Sequence, residues 1–293
     1  MAINNLLVIK AGGGKEKFQR EKVFRTCLRS GAGRGEAEKI VKEVERKIYD
    51  GITTREILKI VLDNLEKINF RSANVYNLKE AIMRLGPPGF IFEEFMTRLL
   101  SSYNLKTERP LFISGKCINH EIDIVARGGN GRDVVYMIEC KYHNVAGIYC
   151  GAKEVLYTWA RFEDLNEGYQ ASKRNEAPRN EKTKYQKFDI PWLITNTKFS
   201  EGAICYAQCK KMRLLGWKYP EEASLENLIE KKKFYPITIL RHLDDETKNK
   251  LFKNKIIFCE DLLKYDLSSL ARLGRIKKNK AKSLINLVGL IIK

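Results

Sequence analysis

Asp123 is followed, after fifteen intervening residues, by Glu139-Cys140-Lys141. Both ends of this spacing lie in strand-like runs, Glu121 to Val125 and Val134 to Lys141, rich in β-branched residues. Strand side chains alternate faces, so Glu139 and Lys141, two apart, point the same way. A turn at Gly128-Gly129-Asn130-Gly131 would pair the runs as an antiparallel hairpin and bring Asp123 alongside. Two carboxylates and one ammonium then share a patch. Alone, the two anions repel and one pKa rises; around a divalent cation they make a hard oxygen site suited to Mg²⁺ (or Mn²⁺). Lys141 stands where an attacking water or a scissile phosphate would arrive. The bland alternative is a solvated, charged strand face. Against it stand Ile122, Ile124, Val134, Val135 and Ile138, apolar neighbours among which charges are costly unless something uses them. Glu121 shares the face of Asp123 by parity and is a second candidate acid. His120 and His143 flank the motif, open either to proton handling or to plain hydrogen bonding near the surface.

Two other groups of residues suit anions. Lys10, Lys15 and Lys22 surround Gly12-Gly13-Gly14, and backbone N–H groups with ammonium heads make a phosphate cradle. The GxxxxGK[ST] spacing of a P-loop is missing, so a hydrolytic motor is not expected; a plain basic hairpin is the alternative. Near the carboxy terminus, Arg272, Arg275, Lys277, Lys278, Lys280 and Lys282 form a run without an acid, bracketed by Leu270, Leu273, Ile276, Ala281, Leu284, Ile285 and Val288. Such a stripe grips phosphates without reading bases, or else closes a small core with a solvated basic face. Cys205 and Cys209, one helical turn apart, leave a metal or redox role open.

The elements that must position these groups divide the chain at Gly86-Pro87-Pro88, which stops a helix and stiffens the joint. Before it, Leu6 to Ile9 reads as a strand. Helical spacing then carries Val23, Cys27 and Leu28; Ile40, Val41, Val44 and Ile48; Ile57, Leu58, Val61, Leu62 and Leu65; and a fourth segment from Ala73 to Leu85. Gly51 stops the second helix, and Thr53 or Thr54 can cap the third. Beyond the joint come a helix (92–103), the two strands, a helix through Tyr157 and Phe162, a polar loop at 163–187, an apolar run from Trp192 to Thr195, a helix containing Ala203 to Met212, and a short run from Leu214 to Trp217. This order describes a mixed α/β layer domain. Past Pro220 the chain reads as helical.

The chain has 293 residues, enough for about two domains. Its formal net charge of +18 attracts polyanions, nucleic acid before anionic membrane. No stretch of about 18 apolar residues spans a bilayer and the start lacks secretory-signal features, so a cytoplasmic protein without a membrane is expected. Seven scattered cysteines without a CxxC pair read as reduced thiols.

Gly89-xx-Phe92-Glu93 opening a helix, then Asp123, then Glu139-Cys140-Lys141 resembles the PD-(D/E)XK nuclease superfamily, and within it the Mrr-like restriction endonucleases, over roughly residues 89–220. The resemblance implies a restriction-endonuclease-like α/β/α mixed sheet and Mg²⁺-dependent hydrolysis of DNA phosphodiesters, in restriction or DNA repair. It implies that Asp123 and Glu139 ligate the metal with the Cys140 carbonyl, that Lys141 orients water and offsets charge, and that Glu93 assists. His120-Glu121-Ile122 stands where the superfamily's proline would precede Asp123, and position 139 carries Glu where many Mrr proteins have Gln.

Residues 1–88 resemble an ATP-cone, a mainly helical nucleotide-binding regulatory module with a small β-hairpin. The features are the strand ending at Lys10, the glycine turn, Phe18, Glu21-Lys22-Val23 and Asp50-Gly51-Ile52-Thr53-Thr54. The resemblance implies that Lys10, Lys22 and Thr54 contact ATP or dATP; Ala11 stands where a second basic residue is usual. Residues 221–293 are a helical, basic candidate DNA-binding region, within which the segment from Leu270 to Val288, bracketing Gly274 and the basic cluster, weakly resembles a helix-hairpin-helix-like binder of DNA backbone. The whole is expected to be an α/β multidomain, DNA-cutting homo-oligomer under nucleotide control. The alternatives are a nucleotide-sensing DNA-binding protein without catalysis, or a nuclease acting on RNA or branched DNA.

Overall fold

The structure is a computed structural model describing residues 6–86, 89–109, 111–128, 133–177, 184–241 and 243–292. Pro87 and Pro88 of the expected joint and residues 129–131 of the expected hairpin turn lie outside the described residues. The chain forms two compact units. One holds the residues up to Leu85, Val145–Gly147 and the residues from Tyr235 onward; the other holds Gly86–Asn144 and Ile148–Phe234.

In the first unit, β1 (Leu7–Ile9) is the middle strand of three, antiparallel to β2 (Lys15–Lys17) and parallel to β3 (Ile52–Thr53). Helices α1 (Arg20–Arg29), α2 (Arg34–Lys47) and α3 (Thr54–Ile68) bring Val23, Cys27, Ile40, Val41, Val44, Ile57, Val61 and Leu65 into one core with Val8 and Ile52. These are the residues whose 3.6-residue spacing marked a buried face. Gly51 adopts φ +84°, and its N–H reaches the Leu7 carbonyl while Asp50 accepts from the Leu7 N–H. Thr53 caps α3 through a reciprocal pairing with Glu56. The segment expected as one helix from Ala73 to Leu85 is two, α4 (Phe70–Tyr76) and α5 (Leu78–Met83). The break falls at Asn77, whose N–H closes a tight turn on the Asn74 carbonyl while its own carbonyl starts the next helix.

The second unit opens with α6 (Phe90–Ser101), buried through Ile91, Phe92, Phe95, Met96, Leu99 and Leu100. The strands that follow are β4 (Lys106–Glu108), β5 (Leu111–Ser114), β6 (Asn119–Ile122), β7 (Ile124–Arg127), β8 (Val135–Lys141) and β9 (Tyr149–Cys150). After α7 (Ala152–Lys173) come β10 (Ile190–Thr195), β11 (Lys198–Phe199), α8 (Glu201–Cys209), β12 (Arg213–Leu215) and α9 (Leu225–Lys232). The main sheet is mixed, in the order β12-β10-β8-β7-β4, with β12, β10 and β8 parallel and β7 antiparallel to β8 and to β4. Two smaller pairs, β5–β6 and β9–β11, stand apart.

Two expectations are corrected here. The run from Glu121 to Val125 is broken at Asp123, with β6 paired to β5 and β7 to β8. Residues 163–173, expected as loop, continue α7. Their charged and glycine-containing sequence hides a buried stripe of Val155, Thr158, Arg161, Leu165, Gly168 and Ala171, at spacings of three and four. Gly168 permits a close backbone approach: a Cβ there would lie 2.4 Å from the carbonyl carbon of Gly115 in the β5–β6 turn.

The carboxy-terminal helices α10 (Asp245–Lys253), α11 (Cys259–Leu262), α12 (Leu267–Gly274) and α13 (Lys278–Ile292) belong to the first unit. Within it α13 packs on α4, and a 3-10 turn at Ile237–Ile239 packs on α5. The Thr238 hydroxyl donates to the Ala81 carbonyl at 2.6 Å, Arg84 donates to the Leu243 carbonyl at 2.9 Å, and Arg241 pairs with Glu66 at 2.9 Å.

Candidate functional site

The break at Asp123 is where the second unit concentrates charge. Because Ile124 pairs with Ile138, the residue before Ile124 falls beside Glu139. The Asp123 carboxylate accepts the Cys140 N–H at 2.7 Å, which fixes it against the end of β8. Glu139 and Lys141 occupy alternate positions of that strand, paired with Leu193 and Thr195 of β10. Glu93 comes from the first turn of α6 and feels the charge of Asp123. Asp123, Glu139 and Glu93 are thus brought into one electrostatic neighbourhood. Lys141 stands exposed at its edge.

Burial dominates the electrostatics. It pushes Glu139 up to about 7, with the Asp123 charge adding to the rise and Arg161 and Lys141 opposing it. Burial also raises Asp123, against the Cys140 N–H and Arg161. Glu93 is raised by burial and by Asp123, with Arg109 opposing. Burial and nearby anions push the Cys140 thiol far up, so its sulfur is no anionic ligand. Carboxylates raised by burial and mutual repulsion suit a small, hard divalent cation. The candidate donors for such an ion are the carboxylates of Asp123 and Glu139 and the backbone carbonyl of Cys140. Among the described residues, no group of three or more His, Cys, Asp or Glu is arranged to hold a metal ion.

Two arginines that the sequence reading passed over complete the site. Arg161, buried on α7, donates through Nη1 to Glu139 and through Nη2 to the Glu121 carbonyl. Arg109 lies 3.7 Å from Glu93 and 3.3 Å from Glu94. The signal for Arg161 was a lone charge in the buried stripe of a helix whose second half read as loop. Glu121 is exposed, but Asp123 and Glu93 both feel its charge. His120 is hydrogen-bonded at 2.8 Å to Asp164, which also accepts the Cys117 and Ile118 N–H groups. The His143 N–H donates to the Asn196 side chain.

In the first unit, the pairing of Ile9 with Thr53 sets Lys10 and Thr54 at neighbouring positions just beyond the strands. Lys22, on α1, joins them through Glu16, whose carboxylate lies 2.7 Å from the Lys10 ammonium and 3.2 Å from that of Lys22. Burial works to raise Glu16, but the two lysines outweigh it and hold it below the usual carboxylate range. The turn between them closes with the Lys10 N–H on the Gly14 carbonyl and Gly13 at φ +80°. The three residues expected to meet nucleotide are therefore grouped, and the cap of α3 is Thr53, which leaves Thr54 as its first residue. At the carboxy terminus Arg275, in the left-handed conformation, joins α12 to α13, whose first turn holds Lys278 and Lys280. Lys280 pairs with Asp244. Cys205 and Cys209 are free and exposed on α8.

Residues 6–81 match the ATP cone domain family. Residues 235–292 match the family described as AF1548-like, C-terminal. An uncharacterized protein of Archaeoglobus fulgidus is 38% identical over 190 residues, which are 65% of this chain and 95% of that protein. The chain belongs to the AF1548-like family. A crystal structure titled as a protein of unknown function, AF1548, superposes with a TM-score of 0.54 at 36% identity, covering 70% of this chain and 98% of that one. The transcriptional repressor NrdR of a Synechococcus species is 30% identical over 119 residues, 36% of this chain and 57% of the repressor. This AF1548-like chain thus carries an amino-terminal ATP-cone and a family-specific helical carboxy terminus within one compact unit. No helix among the described residues is long and apolar enough to cross a membrane.

Proposed function

We propose that this AF1548-like protein is a nucleotide-responsive, metal-dependent DNA endonuclease. The observation that supports it is the seating of Asp123 beside Glu139, with Lys141 one strand alternation further on. A bound Mg²⁺ would lower the pKa of a water and offset charge on the phosphate oxygens. Asp123 and Glu139 would hold that ion with the Cys140 carbonyl. Lys141, exposed at the edge, offers its ammonium to the attacking water or to the phosphate as negative charge grows. Glu93, raised by burial, is suited to exchange a proton near the phosphate. The net charge of +18 draws the DNA, and the cone, with Lys10, Lys22 and Thr54 grouped, takes ATP or dATP.

A second reading is favoured by two observations: Arg161 already neutralises Glu139, and a relative bears the name of a transcriptional repressor. In that reading the protein senses nucleotide and binds DNA without cutting it. The comparisons lean toward this reading, while the acidic neighbourhood leans toward hydrolysis. Supercoiled plasmid incubated with the protein, Mg²⁺ and either ATP or dATP separates them. Hydrolysis predicts nicked or linear product, loss of at least about a hundredfold in Asp123→Asn and in Lys141→Ala, and a nucleotide response removed by Lys10→Ala with Lys22→Ala. Nucleotide-sensitive retention of intact plasmid, unchanged in Asp123→Asn, would establish the binder instead.

A further inference from the structure

Arg161 is a buried cation in the middle of α7, its side chain 9% exposed. Buried guanidinium groups persist only where anions and acceptors compensate them. Here Nη1 serves Glu139 and Nη2 serves the Glu121 carbonyl near the end of β6, so one side chain ties the strand before the break at Asp123 to β8. The Tyr157 ring, one helical turn earlier, lies 5.3 Å from the guanidinium carbon. The buried Nε has no hydrogen-bond partner among the described residues. A planar five-donor fork is therefore held in the acidic neighbourhood with a donor unspent.

The charges decide what such a group does. Glu93 lies against Arg109, and the nearby charges of Glu121 and Lys141 are of opposite sign and offset each other, which leaves Asp123 and Glu139, when both are ionised, facing the single positive charge of Arg161. With a divalent ion added, the sum passes from one negative to one positive. Only a further anion restores balance, and one phosphodiester carries that one charge. We propose that Arg161 is a resident counter-cation that competes with a divalent ion for Glu139, and that a DNA phosphate draws its guanidinium away, so that ion and DNA bind cooperatively. This rests on the hydrolase reading of the same site and assigns Arg161 as a positioning residue, acting through Glu139. Bidentate capture of phosphate is the chemistry that a guanidinium fork performs well, and reciprocity requires that the ion strengthen DNA binding by the factor by which DNA strengthens the ion.

The test is calorimetric titration of Mn²⁺ into the full chain, with and without a phosphorothioate DNA duplex that resists cleavage. The wild type is expected to bind Mn²⁺ at least about tenfold more tightly with duplex present. Arg161→Met is expected to bind Mn²⁺ about tenfold more tightly than wild type without DNA, and to lose the dependence on duplex. Arg161→Lys, which keeps the charge but cannot span Glu139 and the Glu121 carbonyl together, should fall between them and covers the case in which the methionine variant does not fold. A gain in affinity is a result that mere structural damage would not give. Equal Mn²⁺ affinity with and without duplex in the wild type, or no gain in either variant, overturns the proposal. The two readings also separate. The expected Mn²⁺ pattern in a protein that never nicks plasmid keeps the counter-cation and removes hydrolysis, whereas nicking with a flat Mn²⁺ pattern does the reverse.

Discussion

Glu139 is the residue on which the acidic site turns, because it meets a cation of its own chain, a neighbouring acid and the proposed metal position. Burial and the Asp123 charge raise it from an ordinary 4.5 to about 7. A raised folded-state pKa means the folded protein holds the extra proton between those values. The stabilisation is full below about 4.5 and is lost as pH rises through about 7. The metal-free protein is therefore expected to resist denaturant better at pH 5 than at pH 8, and Glu139→Gln should flatten that difference; equal slopes in the two proteins would refute the assignment. Asp123, Glu139 and Lys141 were legible in the sequence because charges interrupt apolar strands there. Arg161 was not, since only the register of a helix tells which of its charges is buried.

At the scale of elements, α7 does most of the positioning. It brings Arg161 to Glu139 and uses Asp164 to hold the turn from Cys117 to His120. Its packing depends on Gly168, where a methyl group would meet Gly115 at 2.4 Å and Lys116 at 2.7 Å, all backbone atoms unable to yield cheaply. Gly168→Ala is expected to destabilise the protein by about 2–3 kcal/mol, read as a lowered midpoint in chemical denaturation; a change within about 0.5 kcal/mol would show that helix and turn do not meet. The strands around Asp123 were legible as apolar runs, and the antiparallel pairing of β7 with β8 follows the expected hairpin. The break at Asp123 was not, because a single charged residue between two isoleucines gives no sign that the strand changes partners. Nor was the second half of α7, where polar residues outnumber the apolar ones that carry the helical period.

For the whole molecule, composition yields an expected class of partner, whereas the arrangement of parts is not written in it. A charge of +18 is visible in a count of residues. That the carboxy-terminal helices share a unit with the ATP-cone is not visible there, since it rests on non-local contacts such as Thr238 with Ala81 and Arg241 with Glu66. Those contacts put the ATP-cone and the basic run around Arg275 and Lys280 in one compact body, so a nucleotide bound to the cone would act on the folding equilibrium that holds that run. The central claim, that the acidic site of the other unit takes a divalent ion when DNA is present, is tested most directly by anomalous scattering from crystals of the full chain grown with Mn²⁺ and an uncleavable duplex. The expected result is one ion at roughly 2.0–2.2 Å from carboxylate oxygens of both Asp123 and Glu139, with Arg161 moved onto a phosphate. Bound duplex with no ion at that place, and Arg161 still on Glu139, would contradict it.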